Sequence, residues 1–147
     1  MRKATMSFVF FVLVLQGAIA AHAQNPNYNV GPVWRVTYFH IKPGQADAFW
    51  DDVRKHGKLI ADEQKKQGLI LEYKVFVNPI LNQPNDWDVA VAILYSNWAA
   101  LDQLAAKAFT VAEKHYGSRE AMAEVARKRS EIADVVASHL VREVTPK

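Results

Sequence analysis

The chain has 147 residues and no cysteine, which excludes disulfides, thiol catalysis, cysteine-ligated zinc, iron–sulfur clusters and covalently attached haem. Its 18 basic and 15 acidic residues leave a formal charge of +3, and two of the basic ones are Arg2 and Lys3. A chain so near neutrality lacks the concentrated basic face that nucleic acid demands, so no nucleic-acid partner is expected.

Residues 1–23 have the three parts of a cleavable export signal. Arg2 and Lys3 give a positive start, and an unbroken apolar run from Phe8 to Leu15 follows. Ala21-His22-Ala23 then fits the small-x-small cleavage rule. Gln16 and Gly17 break the apolar run well short of the roughly 20 residues needed to span a bilayer. The expectation is a secreted or periplasmic chain starting at Gln24, free of the membrane once processed, with a single domain over residues 33–147.

Residues 24–32, with Asn25-Pro26-Asn27 and Gly31-Pro32, read as an irregular leader. Residues 33–41 are β-branched and aromatic, and predict a strand. On it Trp34, Val36, Tyr38 and His40 share one face, and Val33, Thr37, Phe39 and Ile41 the other. After Lys42-Pro43-Gly44-Gln45 the period lengthens to that of a helix over 46–67. Its apolar stripe is Ala46, Phe49, Trp50, Val53, Gly57 and Ile60, and Gly68 sits at the C-cap. A second strand is predicted over 69–77, a turn-rich connection over 78–86, and a nearly all-apolar third strand over 87–95, covered on both faces.

Ser96 is the predicted N-cap of a helix over 97–115. Gly117-Ser118 breaks it, a further helix follows over 119–135, and a last strand over 138–144. Arg127-Lys128-Arg129 reads as the solvated side of that further helix. The order is α+β: a ferredoxin-like βαββαβ pattern with an extra helix before the last strand, its four-stranded antiparallel sheet covered by helices on one face.

Both faces of the first and third strands are too apolar to be left in water. A second copy of the sheet is the simplest cover, so a homodimer is expected. The four tryptophans, Trp34, Trp50, Trp87 and Trp98, fit core and interface packing. Thr37-Tyr38-Phe39-His40-Ile41-Lys42-Pro43-Gly44, followed by Phe49, resembles the opening of dimeric α/β-barrel proteins of the antibiotic-biosynthesis-monooxygenase-like and NIPSNAP-like families. Trp87-Asp88-Val89 and His115-Tyr116-Gly117-Ser118-Arg119-Glu120 are similar to secreted bacterial proteins of this kind. The resemblance spans the element order from about residue 33 to 144. It implies two sheets closing into a dimeric barrel, with a cavity per subunit between sheet and helices. Relatives use that cavity for cofactor-free oxidation of aromatic substrates, for haem, or for small-acid chemistry, and fold alone does not choose among these.

No HxH, HExxH or other metal spacing occurs, and no GxSxG or phosphate-cradling loop. His56 with Glu63, and His115 with Glu113, read as helix-surface pairs. The histidines and charged groups of these strands read either as strand-end groups running out to solvent at the barrel rim, or as a ligand site where Tyr38, His40, Glu72 and His139 converge as polar groups in an aromatic wall beside Trp34. His139 and His40 are the candidate acid–base residues. The face of the first and last strands that looks inward is left open. Three readings follow: a binder of a small aromatic or apolar molecule, a cofactor-independent monooxygenase or isomerase in the same cavity, and a non-catalytic interaction module. No cofactor is predicted, with non-covalent haem left open, and no metal.

Overall fold

A computed structural model describes residues 27–147 apart from Asn82, Pro84 and Asn85. The export signal therefore lies outside the described residues. Four strands, β1 (Tyr28–Ile41), β2 (Glu72–Val77), β3 (Val89–Tyr95) and β4 (Ala133–Pro146), form one sheet in the order β2-β3-β1-β4. All three pairings are antiparallel. The two long strands β1 and β4 pair along most of their length, with register shifts at Val30/Val33 and Tyr38/Phe39. This is the ferredoxin-like arrangement expected from the order of elements.

The chain between β1 and β2 is helical over α1 (Ala46–Asp52) and α2 (Lys58–Lys66), with a π turn, Val53–Gly57, between them. One extra residue is thus absorbed mid-helix, a feature that periodicity alone does not register. Gly44 and Gly68, at φ +77° and +70°, make the turns into and out of this segment. The backbone N–H of Lys42 donates to the carbonyl of Ile132, so Lys42-Pro43-Gly44 ties the end of β1 to the start of β4.

Between β3 and β4 run α3 (Trp98–Gln103), α4 (Ala105–Tyr116) and α5 (Arg119–Ile132). Where one helix over 97–115 was predicted, Leu104 separates two, and the capping side chain is Asn97 rather than Ser96. Its Oδ1 accepts from the N–H of Ala100 at 3.0 Å. Ser118 caps α5 in the same way, through the N–H of Ala121 at 3.1 Å.

Several boundaries differ from the sequence reading, among them β3, which starts at Val89 rather than residue 87. Residues 28–32 belong to β1, because Tyr28, Asn29 and Val30 pair with Pro146, Thr145 and Val144, and Gly31-Pro32 falls within the register shift where a missing N–H costs no ladder bond. The helix predicted to reach residue 135 ends at Ile132, and β4 begins at once because Ala133 is already extended, at φ −148° and ψ 150°. β2 starts at Glu72, with Leu69 and Ile70 buried ahead of it.

Helices cover one face of the sheet. Cross-strand partners share a face, so the register assigns β1 cleanly: Val33, Arg35, Thr37, Phe39 and Ile41 look toward the helices, and Trp34, Val36, Tyr38 and His40 look away. Between sheet and helices are two separate apolar clusters. Ala61, Ile70, Tyr95 and Ala100 form one, against Tyr73 and Ile93; Phe49, Val89 and Ala133 form the other, against Phe39 and Trp50. Val89 and Tyr95 are the two ends of β3, so the clusters hold opposite ends of the sheet and leave its middle uncovered by core.

Candidate functional site

Over that middle lies a cavity of about 780 Å³. Its floor is two rows of the sheet: Tyr73, Ile93 and Arg35 across β2, β3 and β1, then Val75, Val91 and Thr37 beside them. Its walls are Phe49, Val53, Gly57 and Ile60 from the α1–π–α2 segment, Ala112 and Tyr116 from α4, and Met122, Ala126 and Arg129 from α5. The extra helix α5 therefore builds one whole side of the cavity. Aliphatic and aromatic groups make most of the lining, with a few polar groups placed among them, the usual composition of a small-molecule site.

Those polar groups form short networks. Arg129 Nε donates to Asp52 Oδ2 at 2.7 Å, and its terminal nitrogen donates to the Tyr116 hydroxyl at 2.7 Å. Burial works most strongly against the Arg129 charge, but the hydrogen bonds and charges of Asp52 and Tyr116 together hold the guanidinium above its ordinary value. Burial pushes the Tyr116 hydroxyl up, against the pull of Arg129. On the other side, Lys58 Nζ donates to Asp62 at 2.6 Å, and the Tyr73 hydroxyl donates to the same carboxylate at 2.9 Å. Burial, then that bond, raises Tyr73. Asp134 pairs with Lys42 at 3.3 Å. Arg35 is the remaining charged group of the lining, and its guanidinium stands 5.5 Å from the Tyr95 ring centroid.

Behind the wall, His56 of the π turn and His115 of α4 meet, Nδ1 to Nε2, at 2.9 Å, with the Tyr116 ring against both. Such a bond needs one neutral imidazole to accept. Burial lowers the His56 pKa; His115, Arg129 and Lys55 add to this, and Asp52 opposes it. The folded state thus binds this proton more weakly than the unfolded chain, so its stability is full above about pH 6.5 and is lost as pH falls. Urea midpoints measured at about pH 7.5 and about pH 5 should fall on acidification, and fall less in His56→Gln. An equal fall in both proteins would mean that His56 does not carry the effect.

None of the five sequence-predicted ligand residues lines this cavity. Trp34, Tyr38, His40 and His139 lie on the opposite face of the sheet, fixed there by a register that alternation alone left open. Tyr38 packs edge-on to His139 at 5.8 Å and to Trp87 at 5.2 Å. Trp34 Nε1 donates to Glu143 Oε1 at 2.5 Å, and Lys74 Nζ stands 5.3 Å from the Trp34 ring centroid. His40 Nδ1 is bonded at the strand end, 3.0 Å from the Asp86 carbonyl and 3.1 Å from Asp88 Oδ2. Glu72 pairs with Lys65 at 2.8 Å. The convergence expected of these residues is corrected to one contact, Tyr38 with His139.

The polar residues at and behind the cavity wall are not legible in the sequence for physical reasons. In sequence Arg129 reads with Arg127 and Lys128 as solvated; those two do pair along the helix surface with Glu124 and Glu131, but Arg129 turns inward. His56 and His115 lie 59 positions apart, and only the helix packing joins them. The usable signal for Arg35 was its place on the Thr37–Phe39 side of β1.

Among the described residues no group of three or more His, Asp or Glu side chains is placed to hold a metal ion, and no helix is long and apolar enough to cross a membrane.

No protein-family model matches the chain, and no curated protein matches it. Among solved structures, HapK from Hahella chejuensis is similar, with a TM-score of 0.50 and 16% identity over 76% of this chain and 91% of that one. A dimeric ferredoxin-like protein from an uncultured marine organism has a TM-score of 0.47 and 17% identity, over 80% and 96% of the two chains. At such identities the likeness is one of fold. The fold is ferredoxin-like.

Proposed function

We propose that this is an exported dimeric α/β-barrel protein, related to the antibiotic-biosynthesis-monooxygenase-like and NIPSNAP-like families, that binds a small aromatic or apolar molecule between sheet and helices. The observation that carries the reading is the cavity of about 780 Å³ with a mainly aliphatic and aromatic lining. Binding is favoured over acid–base turnover because no histidine is among the lining residues. The lining supplies no histidine for a haem iron.

Dimerisation is supported by the apolar surface that one chain leaves uncovered. Val135, Val136, Leu140, Val141 and Val144 of the edge strand β4 are all exposed, as is Phe76 on the face away from the helices. A row of this kind on a sheet edge invites a second copy. Export is supported by the charged start, the apolar run and the Ala21-His22-Ala23 site.

Native mass spectrometry of protein recovered from the exporting compartment tests all three parts. Dimers of chains beginning at Gln24, carrying extra mass, are the expected result. A ligand-free monomer that keeps residues 1–23 would overturn the proposal.

A further inference from the structure

The charges around the cavity do not balance within the chain. Asp52 is neutralised by Arg129 and Asp134 by Lys42, while Lys58 is held by Asp62. Arg35 remains. Among the described residues no carboxylate lies within ion-pair distance of it, and its cross-strand neighbours are Ile93 and Leu140, both aliphatic. It stands on a central strand, in the same row of the floor as Tyr73, two strand spacings or roughly 10 Å away. Beside that row are Val75, Val91 and Thr37. A planar fork of donors at one edge of an apolar floor is the arrangement that takes a carboxylate or sulfonate bidentately while the body of the ligand covers the floor.

Resting on the cavity reading above, we propose that the cavity selects an organic anion, with Arg35 binding the acid group and the aliphatic floor binding an aromatic or hydrocarbon body. The Tyr95 ring behind the guanidinium limits its rotation, so less freedom is lost when the acid docks. Tyr73 does not compete with Arg35 for the acid group, because its proton is committed to Asp62.

Two fluorescent probes with one skeleton separate the cavity from the charge. Phenylnaphthylamine is neutral, and anilinonaphthalene sulfonate adds only the acid group. Titrated into the full-length protein, the sulfonate should bind about tenfold more tightly or better, the margin expected of one charge-assisted bidentate contact. Arg35→Gln should remove that margin and leave the neutral probe unchanged. Ala126→Trp, which adds a ring from the exposed flank of α5, should weaken both probes by filling the cavity. Neutral-probe binding that Ala126→Trp blocks, without any preference for the sulfonate, would leave the cavity standing and overturn the anion. A sulfonate preference that survives Arg35→Gln would overturn the role of Arg35. Failure of both probes to bind would overturn the cavity reading and this inference with it.

Discussion

Phe49→Ala will cost about 3 kcal/mol of stability, read as a lower urea midpoint with an unchanged slope. Phe49 is only 7% exposed, and it meets Phe39 and Trp50 at ring-centroid distances of 5.9 and 5.6 Å. It belongs to the cluster with Val89 and Ala133 that closes one end of the sheet–helix space. Deleting the ring removes its transfer free energy, and the space left cannot collapse because it opens into the cavity that Phe49 already lines. Leu59→Ala, near the same segment but 50% exposed, is the matched control and should change stability by less than about 0.5 kcal/mol. A loss at Phe49 no larger than at Leu59 would mean that this cluster is not what holds the helices on the sheet.

Arg129→Met will cost about 2 kcal/mol. The change leaves Asp52 and the Tyr116 hydroxyl without the donor that each uses, on a wall where Asp52 is only 21% exposed. The figure lies below that for a fully buried pair because the Arg129 side chain is itself 40% exposed and water screens part of the attraction. Asp52→Asn in the Arg129→Met background should then cost less than it does alone, since the charge it removes is already unpaired. Unfolding of all four members of the cycle gives the coupling directly. Strict additivity would show that packing alone, and not this network, joins α1 to α5.

Much of this architecture was legible from residue order. The alternation along β1 separates Thr37 and Phe39 from Trp34 and Tyr38 without any structure, and Lys42-Pro43-Gly44 announces the turn into α1. The glycines at 68 and 117 mark helix ends correctly because positive φ is cheap for glycine alone. What stayed hidden was whatever depends on contacts distant in sequence. Alternation says that two faces exist but not which one the helices cover, and that single ambiguity leaves the predicted site residues of β1 and β4 on the face away from the cavity. The start of β4 was hidden differently: Ile132 and Val136 are spaced as a helix would space them, and only pairing of Ala133 with Ile41 makes the segment a strand. A guanidinium such as that of Arg129 looks the same in a sequence whether it faces water or a carboxylate on another helix.

The π turn at Val53–Gly57 has a consequence for how this protein tolerates change in length. An inserted residue is stored there, so the helix on either side keeps its own phase relative to the sheet. Loss of one residue from the turn would let α1 and α2 fuse into a regular helix with both ends still in phase, whereas straightening the turn at full length would rotate one against the other by about 100°. In the second case Phe49 and Asp52 on one side, and Ile60 and Ala61 on the other, would no longer face the cavity together. Along this segment, therefore, loss of the stored residue is compatible with an intact cavity, whereas a change that forces the full-length segment into regular helix is not.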